Sequence, residues 1–314
     1  MKTFCFIINP KSGSHLDISG LRHLCQWLRS RGDQICLNLT RSLEHAGELA
    51  AMACQSNTSV IIVAGGDGTV RSVLQSMAGC PTPVMILPCG TENLLASELG
   101  LDGSIKTTIQ CLEHGITRNL DLGRVNGRIF TSIVGVGFDA EVVQIVHQGR
   151  SGHITHADYI WPICRTFWEH NFPHFQIEAD GKLVCDEPAL AFVGNISRYA
   201  VGLKILPDAN CSDGFLHLCI YKCRKRRTLL KHSLLTVAGK SHTSAQVVRL
   251  HCRDVIIRSP QPQYVQIDGD PGPLLPLHIE SIPHAVKVFT PPPPPGREFA
   301  PPVRHYHLRK WLLH

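Results

Sequence analysis

Several common signals are missing from this 314-residue sequence. Its 13 cysteines include no Cys-x-x-Cys pair, so zinc ribbons and thioredoxin-type redox pairs drop out. The count is odd and the spacing irregular, which predicts reduced thiols rather than a disulfide framework. His217, Cys219 and Cys223 crowd one stretch, but without a matching pair they read as coincidence, not as a metal centre. Long apolar runs are absent too. The longest uncharged stretch, Ser72–Thr91, is interrupted by Gly79, Pro81, Pro83, Pro88 and Gly90, so no single helix can carry it across lipid. After Lys2 the apolar run Phe4–Ile8 is too short for a secretory signal, and a cytoplasmic chain is expected. The 31 basic and 25 acidic residues leave only +6, too little to argue a nucleic-acid partner but compatible with an anionic ligand or membrane face. There is no internal repeat, and no GxxxxGK[ST] phosphate loop.

What is present is a globular composition, 43% hydrophobic and 18% charged, in a length that predicts about two domains. Residues 1–123 alternate short apolar runs with helix-period segments: Phe4–Ile8, Ile35–Leu39, Val60–Ala64 and Val84–Leu87 read as strands, with helices between. That pattern predicts an α/β domain on a parallel sheet, with ligands at the carboxyl ends of the strands. Residues 124–290 read mainly as strands, among them Arg128–Val134, Val247–Arg258 and Ala285–Phe289, with helices at Asp139–His147, His153–Glu169 and Arg226–Ala238. A β-rich second domain is therefore expected. Residues 291–314 read as a polyproline spacer and a basic tail.

Three polar, glycine-containing loops end three of the first-half strands. Gly65-Gly66-Asp67-Gly68-Thr69 sits between a buried strand and a helix start, where glycines let backbone amides approach an anion and the helix terminus adds positive potential. Asn9-Pro10-Lys11-Ser12-Gly13 follows the first strand and supplies a point charge and further donors. Gly90-Thr91-Glu92-Asn93 follows the fourth. Asp67 carries only acceptors, so a task beside a magnesium ion or its water shell is expected of it, not direct contact with phosphate.

The motifs INPKSG (Ile8–Gly13), VAGGDGTV (Val63–Val70), LPCGTENLLA (Leu87–Ala96), GVGFDAEV (Gly135–Val142), LPDANCSDGFLHL (Leu206–Leu218) and QIDGD (Gln266–Asp270) follow in order along the chain. With them the sequence resembles the diacylglycerol kinase catalytic-domain family, bacterial lipid kinases related to sphingosine and ceramide kinases. The GGDGT turn alone is shared with NAD kinases and phosphofructokinases. The resemblance implies an NAD-kinase-like α/β domain and a β-sandwich-like lipid-binding domain, with ATP in the cleft between them. It implies nucleotide contacts at Asn9, Pro10, Lys11, Ser12, Gly13, Thr40, Gly65, Gly66, Asp67, Gly68, Thr69, Val70, Arg71 and Thr91. A magnesium ion would be held by the Asp213 carboxylate and the carbonyls of Asn210 and Phe215.

The family usually has Asp-Gly-Glu where this chain has Asp268-Gly269-Asp270, and its last carboxylate is regarded as the acceptor of the lipid hydroxyl's proton. Asp270 is then the expected base, with Asp268 as second candidate. After VAGGDGTV the family continues Asn-Glu, and this chain has Arg71-Ser72. The glycine-rich stretch before Pro207 is thinned to Val201-Gly202.

The expected activity is ATP- and magnesium-dependent phosphorylation of a membrane-lipid hydroxyl, diacylglycerol first. Sphingoid-base, ceramide and polyprenol kinases are the near alternatives; an NAD-kinase-like enzyme or a non-catalytic nucleotide- or lipid-binding protein is the far one. The basic run Arg224-Lys225-Arg226-Arg227, and a tail with Leu308, Trp311 and Leu312 beside Arg304, Arg309 and Lys310, suggest peripheral attachment to an anionic membrane. Self-association into a homodimer stays open.

Overall fold

In the computed structural model, residues 1–12, 17–149, 156–199 and 203–292 are described. Gly13, the start of the helix expected at 153–169, Val201-Gly202 and the proline-rich tail from 293 on lie outside the described residues.

The first half is laid down as β1 (Thr3–Ile8), α1 (Ile18–Ser30), β2 (Gln34–Leu39), α2 (Leu43–Gln55), β3 (Val60–Gly65), α3 (Asp67–Met77), β4 (Val84–Pro88), α4 (Leu94–Glu98) and α5 (Ile105–His114). The strand order is β2-β1-β3-β4, all parallel. Every residue of β3 is buried, as expected of a parallel strand covered on both faces. Side-chain caps fix the helix starts: Asp17 accepts the amide of Gly20, Ser42 that of His45, and Ser104 that of Thr107.

The second half comprises β5 (Ile116–Val125), β6 (Arg128–Phe130), β7 (Ile133–Val136), α6 (Phe138–Gln148), α7 (Ile160–Glu169), β8 (His174–Ala179), β9 (Lys182–Gly194), β10 (Leu216–Lys222), α8 (Arg226–Val237), β11 (Val247–Cys252), β12 (Asp254–Arg258), β13 (Val265–Ile267), β14 (Asp270–Pro271) and β15 (Leu277–Thr290). Strands β9, β10, β7 and β13 share one antiparallel group, while β8, β12, β15 and β5 share another; β9 is long enough to serve both. Phe175, Ile177, Val193, Leu218, Val255 and Ile279 fill the core of this half. The architecture is thus a mixed α/β first half and a β-rich, sandwich-like second half. Strand β15 ties them, pairing antiparallel with β5 along its length, with β12 at its start and with β4, in parallel, near its end.

Two strands expected to be continuous are broken for visible reasons. The run Arg128–Val134 divides at Thr131-Ser132, whose amides turn to the carboxylate of Asp268. The run Val247–Arg258 divides at Arg253, where Asp180 accepts the amides of both Arg253 and Asp254. The expectation of thirteen reduced cysteines needs correction: Cys54, in the last turn of α2, is joined to Cys80, just beyond α3, in a disulfide. The two are 26 residues apart, and it is the packing of α2 on α3 that brings them together.

Candidate active site

Strands β1 and β3 are neighbours although β2 and its flanking helices intervene in the chain, and such a switch in strand order leaves a crevice at the strand ends. The loops after β1, β3 and β4 meet there. Asn9 donates from Nδ2 to Thr69 Oγ1 at 2.8 Å, while its Oδ1 accepts the amide of Lys11 at 2.9 Å. Ser12 Oγ accepts the amide of Gly66 at 3.3 Å. Backbones touch backbones here: a Cβ on Gly90 would lie 2.7 Å from the Cα of Gly66, so no other residue fits without moving a loop. Asn93 adopts left-handed geometry (φ 48°) and closes the third loop, accepting the amide of Gly90 at 2.8 Å and donating to its carbonyl at 2.7 Å.

The carboxylate of Asp67 is largely buried beside the backbone amides of Asn93, Leu94 and Leu95 at the start of α4, which favour its charged form. Burial, and secondarily the nearby Asp268, push its pKa up to about 6. Of the other expected nucleotide residues, Pro10, Lys11 and Thr91 are exposed at the rim. Thr40 is buried where β2 ends, its amide on the carbonyl of Ile8 at 2.8 Å. Val70 is buried inside α3 and offers no side chain to the crevice. A cavity of about 500 Å³ opens beside the turn, lined by Gly68, Arg71, Ser72, Glu44, Glu48 and Arg128 among others.

The second-half contribution is the Asp268–Asp270 turn. Asp268 (φ 51°) and Gly269 (φ 80°) are both left-handed, the two-residue hairpin geometry that joins β13 to β14. The carboxylate of Asp268 is filled: Oδ2 accepts from the Thr131 amide (2.9 Å) and hydroxyl (3.1 Å), and Oδ1 from the amides of Ser132 (2.8 Å) and Ile133 (3.0 Å). A side chain 5% exposed and holding four donors is an anchor, so Asp268 is set aside as second candidate for the base. Asp270 is 40% exposed. Its Oδ2 lies 2.6 Å from Arg71 Nη2, and its Oδ1 3.7 Å from His147 Nε2.

Behind the turn, Gln266 Oε1 accepts the amide of Gly269 at 2.9 Å. Tyr199 donates to Asp139 Oδ1 at 2.5 Å, and the pKa of Asp139 is pushed up to about 6 by burial. A Cβ on Gly135 would collide with both Asp139 and Gln266. The GVGFDAEV and QIDGD motifs are thus two sides of one buried cluster. The sequence reading quoted both motifs but gave Gln266, Asp139 and the Thr131–Ile133 loop no role; His147 carried no signal at all.

The loop expected to hold a metal lies elsewhere in the second half. Asp213 Oδ1 accepts the amide of Phe215 at 3.0 Å, and its Oδ2 lies 3.2 Å from His217 Nε2, which accepts the amide of Asn210 at 3.1 Å. Fully buried Asp121 accepts the amide of Gly214 at 2.6 Å, and burial raises its pKa. Ser212 Oγ, beside Asp213 in the chain, is buried without a partner. Among the described residues no three His, Cys, Asp or Glu side chains converge. A cation here would therefore rest on carboxylate, carbonyl and hydroxyl oxygens, a set that fits a hard ion such as magnesium. His217, the second residue of β10, turns its ring to this loop.

Residues 3–125 match the diacylglycerol kinase catalytic domain, and residues 132–290 the YegS C-terminal NAD kinase beta sandwich-like domain. The chain belongs to the diacylglycerol kinase family. It is 30% identical to a diacylglycerol kinase of Mycobacterium tuberculosis, over 91% of this chain and 94% of that one, and 25% identical to one of Bacillus subtilis, over 93% and 97%. In fold it is similar to the crystal structure of a diacylglycerol kinase from Bacillus anthracis (TM-score 0.68, 20% identity, 93% of this chain and 97% of that one). Membership in the diacylglycerol kinase family makes the chain a kinase and carries with it the use of ATP. No helix among the described residues is long and apolar enough to cross a membrane.

Proposed function

We propose that this kinase transfers the γ-phosphoryl of ATP to a hydroxyl of a membrane lipid, diacylglycerol first, giving phosphatidate. The observation that carries the reading is Asp270, a partly exposed carboxylate at the tip of a fixed hairpin, linked through Arg71 to the helix that starts at the GGDG turn. The first half would hold the nucleotide at Asn9–Ser12, Thr40, Gly65–Val70 and Thr91, and the second half the lipid. Phosphoryl transfer asks mainly for positioning and charge neutralisation. In the proposed step Asp270 takes the proton of the lipid hydroxyl while that oxygen bonds to the γ-phosphorus. The bond to the β,γ-bridging oxygen breaks, and ADP leaves. Lys11 and the loop amides offset the charge on the phosphates. A magnesium ion held by Asp213 with the carbonyls of Asn210 and Phe215 would bind that loop together, apart from the reacting phosphates.

The route to an anionic bilayer is proposed through α7 and α8. Ile160 (63% exposed), Trp161 (70%) and Trp168 (69%) stand out on α7, and Leu230, Leu234 and Val237 on α8. Basic residues Arg224, Lys225, Arg227 and Lys231 flank them, all exposed. Arg226 knits the two helices, donating to the carbonyls of Phe167 and Trp168. Apolar rings bordered by cations match an anionic headgroup layer, each nearby cation adding about 1 kcal/mol. Helix α7 packs on α6, which carries His147 beside Asp270, so this face is joined to the site.

The decisive experiment is transfer of labelled γ-phosphate to diacylglycerol, sphingosine, ceramide and undecaprenol in mixed micelles, with NAD as a soluble acceptor. Label on diacylglycerol, with kcat reduced roughly 10²–10⁴-fold in Asp270→Asn, is expected. Label on another lipid moves the substrate; label on NAD, or ATP bound without turnover, overturns the reading. Trp161→Ala with Trp168→Ala should reduce sedimentation with phosphatidylglycerol vesicles and spare turnover of a short-chain soluble diacylglycerol. Unchanged sedimentation would remove this face from the proposal.

A further inference from the structure

Two departures from the family pattern, 199 residues apart in the chain, meet in space. By the resemblance drawn from the motifs, Arg71 stands where the family usually has Asn, and Asp270 where it usually has Glu. Arg71 leaves α3, and its side chain, 8% exposed, crosses from the first half to the second. There one guanidinium addresses the whole hairpin: Nη2 pairs with Asp270 Oδ2 at 2.6 Å, and Nη1 lies 3.4 Å from the carbonyl of Ile267 and 3.9 Å from Asp268 Oδ2. The backbone of the turn is immobilised independently, by the four donors on Asp268 and by Gln266 on Gly269. The aim of the Asp270 carboxylate is what remains to be set. The planar fork of arginine fixes direction as well as distance, which an ammonium does not.

We propose that Arg71 is the positioning residue for Asp270, and that the two departures are one matched exchange in which a short acid is steered by a long cation reaching across the cleft. This rests on the reading of Asp270 as the base. Either exchange alone disturbs the contact between Arg71 and Asp270. A glutamate at 270 would advance its carboxylate by about 1.5 Å into a guanidinium already 2.6 Å away. Asparagine at 71 is too short to span the gap, so Asp270 would lose its guide. Removing only the acid would leave the buried guanidinium with the Ile267 carbonyl at 3.4 Å and Asp268 at 3.9 Å, its shortest partner gone. His147, 3.7 Å from the other oxygen, does not duplicate the role, because it lies beyond hydrogen-bond distance.

The test compares wild type, Arg71→Asn, Asp270→Glu and the double variant, reading kcat, KM for ATP and the thermal midpoint. Each single change is expected to lower kcat at least tenfold with KM for ATP little changed, and the double variant to recover to within about threefold of wild type. Arg71→Lys keeps the charge and should keep the fold. It is expected to lose kcat all the same, because the fork is gone. Losses that multiply in the double variant overturn the proposal. So does an effect confined to KM for ATP, which would make Arg71 a phosphate contact, or one confined to the thermal midpoint, which would make the pair a structural latch. Wild type inactive on every lipid overturns the reading of the function and takes this proposal with it. An active wild type with multiplying losses overturns the pairing alone.

Discussion

The two sides of the cleft are built by opposite means. On the phosphate side, glycines and amides hold the shape: Gly66 and Gly90 touch backbone to backbone, and the uncharged side chains of Asn9, Ser12 and Asn93 lace the loops together. On the acceptor side, side-chain charge holds it: Asp268 gathers four donors, and Arg71 reaches from the other half to Asp270. A polyanion is met by a fixed cradle of donors, which backbone provides at no cost in side-chain order. A proton acceptor must be a particular side chain at a particular place, which takes other side chains to hold.

If that contrast is right, the sides should fail differently. Asp268→Ala is expected to have the largest effect, about 4 kcal/mol, since each buried donor left without an acceptor costs about 1–3 kcal/mol. Denaturant unfolding would measure it, and a loss below 1 kcal/mol would mean the Thr131–Ile133 amides find other partners. Gly90→Ala should cost less, about 1–3 kcal/mol as an overpacking change, but weaken nucleotide binding because two loops must part. Titration with a fluorescent ATP analogue checks this, and undiminished affinity would argue against the cradle. The smallest expected effect is a pH effect. Burial pushes the Asp139 carboxyl up to about 6, from an ordinary value near 3.8. Between about pH 4 and 6 the folded chain keeps a proton that the unfolded chain has lost, so this group's contribution to stability declines as pH rises through that window and is flat above it. Asp139→Asn removes the decline, so its thermal midpoint relative to wild type should climb from pH 4 to pH 7. A constant difference would show that Asp139 titrates normally.

The same contrast decides what could be read in advance. The phosphate side was legible because its residues lie within short motifs at strand ends, where Gly65–Thr69 needs only its own strand and helix to make sense. The acceptor side was legible as residue types but not as an arrangement. Nothing near Arg71 in the chain announces a partner 199 residues away. The break in Arg128–Val134 had no local cause either: Thr131 and Ser132 are good strand residues, diverted by a carboxylate from the far end of the domain. Helix α5 escaped notice because Thr107-Thr108 dilutes its apolar stripe, although its Ser104 cap was in plain view. In β9 the apolar pattern marks only Ala189–Gly194 as strand; Asp186, Glu187 and Pro188 interrupt it, and pairing with β8 is what keeps them extended.

Strand β15 has a consequence for how the protein is made. Strand β5 emerges from the ribosome early and pairs with β6 at its end, but its long antiparallel partner comes only when residues 277–290 follow. Until then the α/β half exposes the edge of β4 that β15 will occupy, and β5 waits for contacts more than 150 residues downstream. Such a closure is slow relative to local helix formation and leaves strand edges open to wrong partners meanwhile. The cradle for phosphate is written early in the chain, yet the cleft cannot be completed until β15, the last of the described strands, has been added.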